Sequence, residues 1–341
     1  MATVLHITEC YDGGTGRAIA ARVVNAPDHQ HHLLWAGDEV PDPRVKWAST
    51  TPLPSGFRRR VRAISAAERA LRPDYIHAHS SWAGAYARIV RRTAPIIYEA
   101  HCFRFDDPTL SGGSRMLFRL AEQIMARRTA TFGVLTPREA QLVAGLSERA
   151  SAVLIPNVPT LPIVRSVMRE PRVTSPVVSM LGRIAPQKDP GFFLEVARRV
   201  RSAVPHVKFR WIGDGSARDR ERLLLAGVEV TGWLDAQGVA QSLLDTDVYF
   251  HSAAYEGFPL SVLDAAACGI PIAARSIPAF AHAPILSSGT VDGVAILIEG
   301  LLSDRLLLAA AGDANETLLS IMNEHALRRV LRQLYDNDEQ A

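Results

Sequence analysis

The chain has 341 residues, 48% of them hydrophobic and 21% charged, with a formal net charge of +3. This is the composition of a soluble globular protein, long for one core and comfortable for two α/β domains. Cys10, Cys102 and Cys268 are scattered at no disulfide or metal spacing, Met1 runs into the first strand without a leader pattern, and no apolar run approaches ~18 residues, so the expected setting is a reducing cytoplasm.

In the amino half, short β-branched runs at 4–7, 32–36, 75–78, 96–99, 131–135 and 152–155 alternate with helical segments. Such alternation implies a parallel, doubly wound sheet whose ligands sit at the carboxyl ends of its strands. The loop after the first run carries Gly13, Gly14 and Gly16 before a helix expected to begin near Arg17. Gly13 and Gly14 would let the backbone approach a ligand closely, although a plain tight turn fits as well. Residues 56–72 hold six arginines and read as a basic amphipathic helix. Such a helix suits an anionic lipid surface, and equally a solvated arginine face over an ordinary apolar stripe. No recognition motif or interleaved aromatic residue accompanies it, so nucleic acid is not an expected partner. His79 and His101 each follow a strand, where a lone histidine is more often structural than functional.

Residues 158–176 are proline-rich and aperiodic, as an interdomain linker would be. The expected domains are therefore 1–160 and 161–321, the second with strands at 177–181, 208–212, 228–231, 248–251 and 272–274. The loop after 177–181 brings Gly182, Arg183 and Lys188 to a strand-to-helix turn with Asp189 as the helix cap, which makes an anion cradle. A second such turn runs through Glu256, Gly257, Phe258, Pro259 and Leu260, with proline in the first turn of a helix expected over 259–268. Its free N–H groups and the positive helix end suit a phosphate. Glu256 and Asp264 are eight residues apart, slightly more than two helical turns, so both carboxylates lean toward one crevice. Carboxylates beside a phosphate are suited to sugar hydroxyls, as in a nucleotide sugar. Alone, this pair reads more simply as an acidic cap plus a solvated Asp; the Gly182 to Lys188 loop tips the balance.

Gly182-Arg183 followed by Lys188, and Glu256 followed after seven residues by Asp264, resemble the pattern of the retaining glycosyltransferases of family four, over about residues 177–275. That resemblance implies the GT-B fold: two doubly wound parallel-sheet, Rossmann-like domains facing across a cleft, with a last helix at about 322–341 packing back on the first. It implies a sugar transfer from a nucleotide-diphosphate donor to a hydroxyl acceptor with retention, with no metal or cofactor beyond the donor. Catalytic roles fall to His101, which stands where such enzymes carry a histidine facing the transferred sugar, and to Glu256, Arg183 and Lys188. Donor binding falls to Gly13, Gly14, Gly182, Gly257, Phe258, Pro259, Leu260 and Asp264, with Asp264 on the ribose. His79 is a further candidate for the acceptor side. The expected acceptor is a sugar or lipid-linked saccharide in cell-surface polysaccharide or glycolipid synthesis, with residues 57–72 on the inner face of a membrane. A nucleotide-sugar epimerase and a non-catalytic partner subunit are the alternatives; the Glu256 to Asp264 spacing and the Gly182-Arg183 pairing favour the transferase over the first, and the presence of Arg183, Lys188 and Glu256 together favours it over the second. Three departures concern the donor: Asp264 is one methylene short of the usual Glu, an Asn-Gly-Val-Asp motif is reduced to Pro156-Asn157-Val158, and Arg275-Ser276-Ile277-Pro278 replaces a Gly-Gly loop.

Overall fold

The structure, a computed structural model, describes residues 1–90, 94–161 and 168–336. Residues 162–167 of the expected linker and 337–341 of the expected last helix lie outside the described residues. Two compact units divide the chain: Met1–Val158 with the residues from Asn323 onward, and Pro159–Met322.

The first unit contains β1 (Thr3–Thr8), α1 (Gly13–Val24), β2 (Gln30–Trp35), β3 (Ser49–Pro52), α2 (Phe57–Leu71), β4 (Tyr75–His79), α3 (Ser81–Ile89), β5 (Ile96–Glu99), α4 (Gly112–Ala126), β6 (Thr131–Val134), α5 (Pro137–Ala144) and β7 (Ala152–Leu154). All its strand pairs are parallel, in the order β3-β2-β1-β4-β5-β6-β7. A parallel sheet is covered on both faces, so its inner strands β1, β4, β5 and β6 are buried nearly throughout. One face, with Leu5, Ile76, Ile96 and Phe132, is an ordinary hydrophobic core. The other carries histidine: register sets His6 beside His77 and His79 beside Glu99.

The second unit contains β8 (Val177–Leu181), α6 (Pro190–Ala203), β9 (Lys208–Ile212), α7 (Ala217–Leu225), β10 (Glu229–Val230), α8 (Ala236–Leu244), β11 (Val248–His251), α9 (Leu260–Ala267), β12 (Ile272–Arg275), β13 (Leu286–Ser288), α10 (Val291–Ser303) and α11 (Arg305–Ile321). Its six strands are parallel, in the order β10-β9-β8-β11-β12-β13, around a core built on Met180, Phe193, Trp211 and Phe250. The edge strands β3 and β13 were not expected, because Ser-Thr-Thr-Pro and Leu-Ser-Ser carry no apolar alternation.

The last helix, α12 (Glu324–Tyr335), belongs to the first unit. Asn323 caps it by accepting from the Ala326 N–H at 2.9 Å. Leu327, Leu331 and Tyr335, spaced by one helical turn, are buried with Val4, Ala21 and Ile97 on the histidine-bearing face of the sheet. Among the described residues no helix is long and apolar enough to cross a membrane.

Candidate active site

In the second unit the two motif loops are one structure. Beyond β8, Gly182 takes φ +154°, donates its N–H to the Ile212 carbonyl at 3.0 Å and accepts from the Trp211 indole at 2.7 Å. A Cβ there would stand 3.0 Å from Cε of Lys188, so glycine is what lets the lysine fold back over the strand end. Asp189, at φ +48°, caps α6 by accepting from the Phe192 N–H at 3.0 Å. Ser252 Oγ donates to the Lys188 carbonyl at 2.7 Å and the Ala254 N–H to the Gln187 carbonyl at 2.9 Å, which ties this loop to the turn after β11.

Lys188 Nζ pairs at close range with Glu256 Oε1, and Gln187 Nε2 donates to Glu256 Oε2 at 3.2 Å. His251 Nε2 lies 3.6 Å from the same carboxylate. Burial alone would raise the Glu256 carboxyl, but the Lys188 charge and His251 prevail and hold it down at about 2. Arg183 is exposed and has no hydrogen-bond or ion-pair partner among the described residues. One cation is thus paired with a carboxylate and a second has no partner among the described residues, an arrangement able to receive an anion. Gly257, Phe258, Pro259 and Leu260 are buried, and Phe258 packs edge-on against Phe280 with ring centroids 5.7 Å apart. Pro259 stands at the cap position, one residue before α9 begins.

Asp264 is not turned toward an open crevice. It is fully buried on α9, and its Oδ1 accepts from the backbone N–H groups of Thr160 at 2.8 Å and Leu161 at 3.3 Å. The partners seen are main-chain amides at the start of the unit, where the resemblance placed a ribose; the short side chain keeps the carboxylate close to its helix.

Sequence reasoning passed over Gln187 and His251, both on Glu256, and the turn Gly213-Asp214-Gly215-Ser216 after β9. Gly213 and Gly215 have φ of +132° and +157°, and a Cβ on either would come within 2.4 Å or 2.2 Å of the Gly182 or Ile184 carbonyl oxygen. The Ile184 N–H donates to the Asp214 carbonyl at 2.7 Å, so this turn buttresses the Arg183 loop. Its Gly-x-Gly spacing after an apolar strand was the available signal.

In the first unit α1 begins at Gly13, earlier than expected, so Gly13 and Gly14 form its first turn; neither would meet another atom within 4 Å if given a Cβ. His101, two residues past β5, is partly exposed and held at φ +55°, an uncommon backbone for a non-glycine residue. Burial pushes its imidazole down to about 4, so it is neutral at pH 7. Its Nε2 lies 3.2 Å from Nδ1 of His79, which is fully buried and therefore supports His101 from behind without reaching an acceptor. Glu99 is clamped by Arg22 through two hydrogen bonds of 3.1 and 2.7 Å, and Arg22 also donates to Asn157 Oδ1 at 3.0 Å. His6, His77 and His79, and again His79, Glu99 and His101, are the groups that could hold a metal ion among the described residues. Two of the nitrogen pairs, His6 with His79 and His79 with His101, are already hydrogen-bonded to each other.

The basic helix α2 turns its apolar side, with Ile64, into the core and leaves Arg58, Arg59, Arg62 and Arg69 exposed. The exposed apolar stripe lies instead on α4, where Met116, Leu117, Leu120 and Ile124 are between 52% and 72% exposed.

Comparison with known proteins agrees with this fold. The family described as "Glycosyl transferase 4-like domain" matches residues 4–158, and that described as "Glycosyl transferases group 1" matches residues 175–312. A UDP-Gal:alpha-D-GlcNAc-diphosphoundecaprenol alpha-1,3-galactosyltransferase of Escherichia coli is 23% identical over 286 residues, covering 76% of this chain and 70% of its own. Among solved structures, a sucrose-phosphate synthase from Thermosynechococcus elongatus superposes with a TM-score of 0.79 at 16% identity, over 98% of each chain. The Anabaena protein HepE in complex with UDP-glucose gives a TM-score of 0.78 at 13% identity, over 98% of this chain and 99% of that one.

Proposed function

Because the chain belongs to the family-four glycosyltransferases of GT-B fold, we propose that it moves a hexosyl group from a nucleotide-diphosphate sugar to a hydroxyl acceptor with retention of anomeric configuration. The observation that carries this reading is the Lys188–Glu256 pair beside Arg183, which has no partner among the described residues. An arriving diphosphate takes Lys188 and Arg183 as counter-ions, with help from the Gly257 and Phe258 amides. Glu256, released from Lys188, then accepts hydrogen bonds from hydroxyls of the donor sugar. The bond from the anomeric carbon to the diphosphate breaks, the acceptor oxygen bonds on the same face, and its proton passes to the leaving phosphate. Two protein cations supply the charge compensation, and the reading calls for no resident metal or cofactor.

The acceptor side falls to the first unit, with His101 facing the transferred sugar. The diphosphoundecaprenol in the name of the Escherichia coli relative supports a lipid-linked saccharide acceptor in surface polysaccharide or glycolipid assembly. The exposed α4 stripe and the α2 arginines fit an anionic membrane surface presenting such an acceptor. The test is to incubate the protein with UDP-, GDP- and ADP-sugars and measure free nucleotide beside Glu256→Ala. Release from one donor, lost in the variant, is expected; absence of nucleotide binding across the panel would refute the enzyme reading.

A further inference from the structure

Five histidines lie on one face of the first sheet and its rim, and four are joined end to end. His101 Nε2 is 3.2 Å from His79 Nδ1, His79 Nε2 is 3.0 Å from His6 Nδ1, and His6 Nε2 is 2.9 Å from His31 Nδ1. The chain ends where His31 Nε2 meets the Ala26 carbonyl oxygen at 2.8 Å. A carbonyl oxygen only accepts, so His31 carries its proton on Nε2 and presents a lone pair at Nδ1. His6 must then donate from Nε2, His79 from Nε2 and His101 from Nε2, because a neutral imidazole has one N–H and each contact needs one donor. The rings are neutral because burial lowers all four, His31 and His101 to about 4 and His6 and His79 well below the usual value. The end facing the surface is thereby determined by a carbonyl three rings away.

We propose that His79, His6 and His31 act as positioning residues that lock His101 as the Nε2–H tautomer, leaving the lone pair of its Nδ1 as a fixed hydrogen-bond acceptor for a sugar hydroxyl. His101 Nδ1 has no hydrogen-bond partner among the described residues and is not among the buried unpartnered atoms, so it reaches solvent. The competing influence is Glu99, whose Oε1 is 3.9 Å from His79 Nδ1 and would favour a proton there. That distance is outside hydrogen-bond range. Glu99 is occupied by the two Arg22 bonds and by His77 Nε2 at 2.8 Å. Reversing the chain would set a bare His31 nitrogen against the Ala26 oxygen at 2.8 Å, and this closer repulsion decides the direction. The strained backbone at His101, with φ +55°, holds the ring in line with His79.

This inference rests on the reading that His101 meets the transferred sugar, but its test needs neither donor nor acceptor. The full-length protein is labelled with 15N-histidine, and long-range proton–nitrogen spectra are recorded at pH 7, with His101 identified by its loss in His101→Gln. A protonated Nε2 and a bare Nδ1 at His101 are expected in the unmodified protein. In His31→Phe, which removes the anchor, the two His101 nitrogen shifts converge as both tautomers become populated. In His31→Gln, whose amide can donate to Ala26 and accept from His6, the original pattern is retained. A protonated Nδ1 at His101 in the unmodified protein would overturn the proposal, without need of any variant. So would an unchanged His101 pattern in a folded His31→Phe protein. Nucleotide release in the donor panel is scored separately, so a failed tautomer prediction leaves the transferase reading standing.

Discussion

Asp264 offers the sharpest test, because its two candidate roles predict opposite signatures. As a brace, its carboxylate satisfies the N–H groups of Thr160 and Leu161 within a fully buried setting. Asp264→Ala leaves those donors without their acceptor, at about 1–2 kcal/mol each, or roughly 2–4 kcal/mol together. For a unit of this size that corresponds to a fall in melting temperature of about 5–15 °C. Asp264→Asn keeps an acceptor oxygen in place and should lose less than half as much. As a ribose ligand, by contrast, the residue would contribute little to stability, and its removal would weaken nucleotide binding by about 30- to 100-fold. Scanning calorimetry beside calorimetric titration with the nucleotide separates the two. The brace is refuted if Asp264→Ala melts within about 2 °C of the parent while losing nucleotide affinity by that factor.

Three further outcomes follow from the same geometry. Arg183→Ala, at an exposed unengaged side chain, should lower diphosphate affinity about tenfold with no change in melting temperature, whereas Lys188→Ala should lower both because it strips Glu256 of its counter-ion. Equal melting temperatures for the two variants would remove the pair from the argument. Glu256 titrates at about 2, below its ordinary 4.5, so the stability it contributes is complete above about pH 4.5 and is lost as pH falls through about 2. Urea midpoints between pH 5 and pH 2 should therefore fall more steeply in the parent than in Glu256→Gln; parallel slopes would contradict the assignment. For membrane docking, Leu117→Glu with Ile124→Glu should abolish flotation with anionic vesicles, and Arg58→Glu with Arg59→Glu should weaken it about fivefold or more per charge. Undiminished flotation in the first variant would exclude the α4 stripe.

The parallel sheets and the strand-to-helix loops that carry Lys188 and Glu256 were legible because each is written in adjacent residues: a run of Val, Leu and Ile, or a Gly-Arg beside a strand end. Strand limits agree within two residues for the long apolar runs and fail for β3 and β13, whose polar residues carry no period. The contacts of Asp264 with Thr160 and Leu161 were illegible because those residues lie more than 100 positions away, and only the folded chain brings them to α9. Membrane contact was sought on α2 because arginines are conspicuous in a sequence. On α2 Ile64 faces inward, while the apolar stripe of α4 looks like core until the fold leaves it uncovered.

Two acid–base pairs, Arg22–Glu99 in the first unit and Lys188–Glu256 in the second, differ in whether a ligand could part them. Glu99 and Arg22 are both essentially inaccessible, with side-chain exposures of 1% and 0%, and their bidentate contact is completed by Asn157 and His77. No ligand can enter such a pair without leaving a charge unpaired, at a cost of several kcal/mol. Glu256 and Lys188 keep 10% and 16% exposure, and the cation is a flexible ammonium whose stem arches over Gly182. A lysine can exchange its carboxylate for a phosphate by rotating its stem, whereas a guanidinium held on two oxygens cannot. The same pairing of opposite charges is therefore sealed in the first unit, whereas in the second its partial exposure and flexible lysine suit the exchange that the proposed transfer requires.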